Sequence, residues 1–119
     1  MSIEIDLSPL KELDAYTPPG EPSLLVEIID AYLEESVVDE ASLRTAAASG
    51  DAKALANAAH RLKGSSANVG VLSLVPMCSD LERDARKGPV DNAVGRVEHL
   101  LAVLDECRVV LRAERAAAT

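Results

Sequence analysis

His60 draws notice through its neighbours at helical spacing. On a helix, Asn57 lies one turn before it and Lys63 and Gly64 one turn after, so the imidazole is flanked by an ammonium group and by a residue with no side chain. A mid-helix glycine costs about 1 kcal/mol relative to alanine, and the run Lys63-Gly64-Ser65-Ser66 adds little helix propensity. The vacancy at Gly64 would let a tetrahedral phosphoryl group approach a ring nitrogen, with Lys63 holding a cation near the resulting dianion. Neutral imidazole is suited to such an attack because it is nucleophilic near pH 7. A solvated surface histidine beside a chance glycine is the bland alternative, and the costly glycine together with the lysine weighs against it.

The remaining reactive side chains invite simpler readings. His99 falls opposite the apolar stripe of the last helix, between Glu98 and Leu100, and reads as a solvated surface residue. His60 and His99 have no cysteine or carboxylate spacing of the kind that holds zinc or iron, so no metal site is expected. Cys78 and Cys107 show no CxxC spacing and read as reduced core residues. The acidic run Glu34-Glu35 with Asp39-Glu40 reads as a solvated helix face. No Gly-rich loop is present to cradle a nucleotide, so the chain is not expected to phosphorylate itself from ATP.

Composition narrows the partners. The chain has 119 residues, of which 48% are hydrophobic and 27% charged, enough for one globular core but too short for a self-contained kinase. Twenty acids against 12 Lys and Arg give a formal charge of −8, a field that repels nucleic-acid phosphates and anionic membranes. The only aromatic residues are Tyr16 and Tyr32, which leaves no stacking platform for bases. Residues 1–6 contain two acids and no basic leader, and no 18 apolar residues run together, so a cytoplasmic location is expected.

Apolar residues recur at three and four, and no stretch alternates with period two, so the spacing predicts an all-α domain. A short first helix is expected over about 8–16, ended by Thr17-Pro18-Pro19-Gly20. A long second helix should span about 23–48, with Leu25, Ile28, Ile29, Tyr32, Leu43 and Ala47 as its core stripe. Asp51 should cap a third helix reaching about residue 68, and its buried stripe should be Leu55, Ala59, Leu62, Ser66 and Val69, leaving His60 roughly 140° away. Ser73 should cap a fourth helix, with Pro76 in its first turn and Lys87-Gly88-Pro89 at its end. A fifth should occupy about 90–115, with Val90, Val94, Val97, Leu101, Leu104 and Leu111 along one side. Four substantial amphipathic helices with short connections favour an antiparallel up-down bundle with a core over about 23–115 and the first helix as a cap. Val26, Leu33 and Val37 form a second apolar line that is either covered by the N-terminal segment, through Leu7, Leu10 and Leu13, or left for a partner, and coverage by the first helix is the expectation.

The segment Ala59-His60-Arg61-Leu62-Lys63-Gly64-Ser65-Ser66-Ala67-Asn68-Val69-Gly70 resembles the pattern H-x-L-K-G-[SA]-[SA]-x-x-[LIV]-G of histidine phosphotransfer (HPt) domains. The likeness continues through the Gly50-Asp51 turn and into Cys78-Ser79-Asp80-Leu81-Glu82, spanning about 24–112. It implies a single HPt domain over 1–119, a phosphocarrier rather than an enzyme, with His60 as the phospho-acceptor, Lys63 as the nearby cation, Gly64 as the clearance residue and Ser65 as a small polar neighbour. Members of the family often carry a glutamine where Glu82 stands. Glu82 either accepts a hydrogen bond from the imidazole and fixes its tautomer, or is a solvated acid paired with Arg86.

The implied function is relay of a phosphoryl group between receiver-domain aspartates. The expected partners are response-regulator receiver domains and a hybrid sensor histidine kinase, with no cofactor beyond Mg²⁺ in the receiver, and with the chain monomeric. A phosphoacceptor module of a chemotaxis-type histidine kinase and an unphosphorylated helical adaptor are the alternatives.

Overall fold

The computed structural model describes residues 3–119; Met1 and Ser2, at the start of the segment that suggested no leader, lie outside the described residues. Those residues form helices α1 (Ser8–Asp14), α2 (Leu24–Ser49), α3 (Ala52–Val69), α4 (Leu74–Lys87) and α5 (Ala93–Ala117). Local chemistry sets several of the boundaries. Gly50 closes α2 in the left-handed conformation, and the Asp51 carboxylate then accepts the Ala54 N–H at 3.0 Å to open α3. At the start of α2, the Asp14 carboxylate accepts the Leu24 N–H at 2.8 Å and the Ser23 hydroxyl at 2.9 Å. The last residue of α1 thus supplies part of the cap of α2, and these hydrogen bonds hold the Asp14 carboxyl below the usual range.

Ser73 departs from expectation. It precedes α4 in helical conformation, and its hydroxyl accepts the Glu4 N–H instead of capping the helix. The N-terminal segment is laid against the α3–α4 turn: the Ser73 N–H donates to the Glu4 carbonyl at 3.1 Å and the Asp6 N–H to the Gly70 carbonyl at 2.8 Å. Competition from this extended segment takes the side chain that sequence assigned to capping.

Cross-helix contacts ascend on α2 as they descend on α3 and on α5. Tyr32 meets Ser66 and Asp39 meets Arg61 between α2 and α3. Asp30 pairs with Arg115 and Arg44 with Glu98 between α2 and α5, and Asp84 with Arg96 between α4 and α5. Such pairings make a ring of four helices around one core, in which Ile29, Leu43, Leu62, Leu74, Leu104 and Leu111 are fully enclosed. No helix among the described residues is long and apolar enough to cross a membrane.

Three packing expectations need correction. Asp39 is not on a solvated face; it is buried with Ser36 on the line Ile29–Tyr32–Ser36–Asp39–Leu43. Val94 is exposed because it lies about 65° off the line of Val97, Leu101, Leu104 and Leu111. Val37 is 62% exposed, since α1 packs at the start of α2 and its seven residues span only about 10 Å. Leu7 and Leu10 are buried there, whereas Leu13 is exposed.

Gly70 ends α3 at φ +100°, and a Cβ at that position would overlap the Asp6 carbonyl. Gly70→Ala should therefore destabilise the fold by about 1–3 kcal/mol, read as a lower urea midpoint. An unchanged midpoint would show that the N-terminal segment is not anchored to this turn.

Candidate functional site

The buried stripe of α3 decides where His60 points. Leu55, Ala59, Leu62, Ser66 and Val69 all face the core, so the imidazole is turned outward and its side chain is 61% exposed. Tyr32 and Ser66 share a buried hydrogen bond of 2.8 Å on one flank of α3, and Arg61 lies 3.6 Å from the Asp39 carboxylate. The other flank packs on α4, which brings Glu82 under the ring. This is the central contact of the site.

Glu82 Oε2 lies 3.0 Å from His60 Nδ1, while Oε1 accepts from Lys63 Nζ at 2.6 Å. Arg86, one turn further along α4, donates to Oε2 from Nε at 3.1 Å and from Nη2 at 2.8 Å. The Glu82 side chain is only 11% exposed, so the carboxylate is held largely by protein donors. The Lys63 hydrogen bond, joined by those of Arg86 and His60, pulls its carboxyl down to about 2 against the opposing effect of desolvation. Both alternatives weighed for Glu82 are present at once, except that the acid is not solvated.

An ionised carboxylate can only accept a hydrogen bond, so the neutral ring facing Glu82 carries its proton on Nδ1. The Nε2 lone pair is then free on the exposed side. At Gly64 a Cβ would meet nothing within 4 Å, so packing does not demand glycine there. The helix has a vacancy beside the ring that no neighbour fills.

Of the sequence-predicted residues, His60, Lys63 and Glu82 converge directly. Ser65 does not face them: its hydroxyl donates to the Leu62 carbonyl at 3.2 Å, and the residue borders a groove toward Tyr32 of α2. His99 is exposed on α5, apart from the site. Cys78 and Cys107 are free and buried, with burial pushing their thiols up to about 12 and about 11. Among the described residues no group of three or more His, Cys, Asp or Glu gathers as a metal site.

Asp39 is the residue that sequence reasoning missed. Burial raises its carboxyl above the usual range while Arg61 opposes the shift. Its position, seven residues after Tyr32 and four before Leu43, was the available sign.

The family model described as the Hpt domain matches residues 27–110. The crystal structure of histidine-containing phosphotransfer protein B (HptB) from Pseudomonas aeruginosa PAO1 is similar with a TM-score of 0.81 and 29% sequence identity, over 95% of each chain. No curated protein sequence matches this chain.

Because the folded Glu82 carboxyl titrates near 2 and its ordinary value is 4.5, ionised Glu82 stabilises the fold fully above about pH 4.5. That contribution is lost as pH falls toward 2. The gap in urea midpoint between wild type and Glu82→Gln should narrow between pH 5 and pH 2, and a gap independent of pH over that window would contradict the ionic arrangement.

Proposed function

The chain belongs to the Hpt domain family, and on that premise we propose that it is a histidine-containing phosphotransfer protein, a carrier that exchanges a phosphoryl group through His60 with the aspartates of response-regulator receiver domains. The observation that carries this reading is an outward imidazole held at Nδ1 by a buried carboxylate, beside an empty helix face at Gly64.

In the proposed step, Nε2 of His60 attacks the phosphorus of an aspartyl phosphate in line with the departing carboxylate oxygen. The P–O bond breaks, the N–P bond forms, and the aspartate leaves as a carboxylate. The proton stays on Nδ1, so positive charge develops on the ring as the new bond forms. Glu82, 3.0 Å away, is already in place to stabilise that charge. Lys63 sits on the same carboxylate and supplies an ammonium group for the phosphoryl oxygens. Gly64 gives the incoming phosphorus and its oxygens room to pass. Ser65 is assigned no step, since its hydroxyl proton is donated to the Leu62 carbonyl in this structure.

Phosphoryl transfer has little covalent work for the protein to do, so position and charge dominate. Mg²⁺ belongs to the receiver in this reading, and the chain itself needs no cofactor. A hybrid sensor histidine kinase is the proposed source of phosphate, and the carrier works as a monomer in the cytoplasm without nucleic acid or membrane.

His60→Gln should abolish acid-labile, base-stable labelling by a phosphorylated receiver with little change in melting temperature, because the side chain contributes little packing. Gly64→Gln should slow labelling about tenfold, on the order of 1.4 kcal/mol, yet melt at the same or a higher temperature, since glutamine is the better helix former. Label in His60→Gln, or full-rate transfer in Gly64→Gln, would contradict the assignment. Labelling only by a kinase ATP-binding domain with ATP would favour a chemotaxis-type acceptor, and binding without label an adaptor.

A further inference from the structure

Nine of the 12 Lys and Arg side chains form an ion pair with an acid. Among the described residues Lys53, Lys87 and Arg112 do not, although the chain offers 20 acids. Two of these three line one groove. It is a concavity of about 420 Å³ between the start of α3 and the end of α4, floored by Ala52, Ala56 and Ala85 and bordered by Lys53, Arg86 and Lys87. No acid lines it.

The fold does not account for the charge at Lys53, whereas Lys87 stands in the last turn of α4, where a cation is favoured. Lys53 is the second residue of α3, where the positive end of the helix dipole disfavours a cation. It also has no partner to offset that cost. The whole of α3 carries Lys53, Arg61 and Lys63 and no acid, in a chain whose net charge is −8. The floor is made of alanines, so backbone from another molecule can approach closely.

The groove is continuous with the phosphotransfer site. Lys53 precedes His60 by seven residues, which puts it on nearly the same face about 10 Å away. Arg86 borders the groove and also donates to Glu82 beneath the ring. A protein that presents an aspartate to Nε2 therefore brings the surface flanking that aspartate within reach of this groove.

We infer that the α3–α4 groove is the docking site for an acidic segment of the phosphoryl-exchanging protein, whose carboxylates pair with Lys53 and Lys87. The inference rests on the proposed phosphotransfer. An acidic partner meeting a chain of net charge −8 is repelled except where the local field is positive, so the groove sets both the encounter rate and the register of the aspartate over His60. The alanine floor admits the segment's backbone, and the two free ammonium groups read its charge.

The test uses the full chain and every receiver domain of the source organism, each phosphorylated with acetyl phosphate and Mg²⁺. The receiver that labels the wild-type chain fastest serves as donor for Lys53→Glu, Lys87→Glu, the double variant and Arg112→Glu. Arg112→Glu changes net charge as much as either single variant but lies on α5, outside the groove. The double variant should lose about tenfold in kcat/KM near 50 mM salt, each single variant less, and the loss should shrink below about twofold at 0.5 M salt. Arg112→Glu should transfer at nearly the wild-type rate.

With phosphoramidate, a small donor that needs no docking, the double variant should lose no more than about twofold. Wild-type transfer by the double variant at low salt would overturn the inference and leave the phosphotransfer reading intact. An equal loss in Arg112→Glu, or an equal loss with phosphoramidate, would also overturn it. Half-inhibition of the wild type by about 1 mM inorganic phosphate at matched ionic strength would reassign the groove to a small anion. Failure of every receiver to label the wild type would contradict the phosphotransfer reading and the groove with it.

Discussion

The Glu82 carboxylate is the point on which the site depends. Two oxygens on α4 accept from His60 and Lys63 of α3 and from Arg86 of their own helix, within 2.6 to 3.1 Å. Three cationic or cation-forming groups could not sit this close in a partly buried place without an anion among them. The carboxylate in turn would be costly to desolvate without those donors. Each side of the arrangement makes the other tolerable, and the result is a ring of fixed orientation at an exposed position.

The bundle makes this possible by holding α3 from both sides. On the α2 side the Asp39–Arg61 pair, next to the level of His60, and the Tyr32–Ser66 hydrogen bond, about 9 Å further along α3, hold the helix. On the α4 side the Glu82 cluster does the same. Between them Ala56, Ala59 and Leu62 are fully buried, which allows α3 little freedom to roll. The imidazole therefore faces outward because of residues that never touch a substrate. Cys78 lies in the same layer with its thiol pushed up by burial, a shift to which Asp39 and Glu82 add, and it stays an inert packing group.

Most of the architecture was legible because helix periodicity and breakers agree locally. The α3 stripe, the Asp51 cap and the glycine turn at Gly50 are each encoded within a few residues. The family resemblance put Glu82 at the site but left its role open, since the outcome depended on how deeply α4 would bury it and on whether Lys63 would reach it. Asp39 was misjudged for a related reason: as an acid it broke the apolar stripe between Tyr32 and Leu43, although its position continued the three-four spacing. Ser73 failed because its partner, Glu4, is 69 residues away in sequence. Local propensity carries no information about such a competitor. The groove between α3 and α4 was invisible for the same reason, since Lys53 and Lys87 belong to opposite ends of different helices.

The central claim is that Glu82 holds the His60 proton on Nδ1 and leaves Nε2 to accept the phosphoryl group. Proton-coupled ¹⁵N spectra of histidine-labelled protein read this directly, with His99→Gln removing the second imidazole. In the neutral ring, Nδ1 should show the shift of a protonated nitrogen and Nε2 that of an unprotonated one, and after phosphorylation the coupling to phosphorus should appear on Nε2. Glu82→Gln should relax the tautomer preference toward a mixture. A proton on Nε2 in the wild-type protein, or phosphorus coupling at Nδ1, would contradict the account.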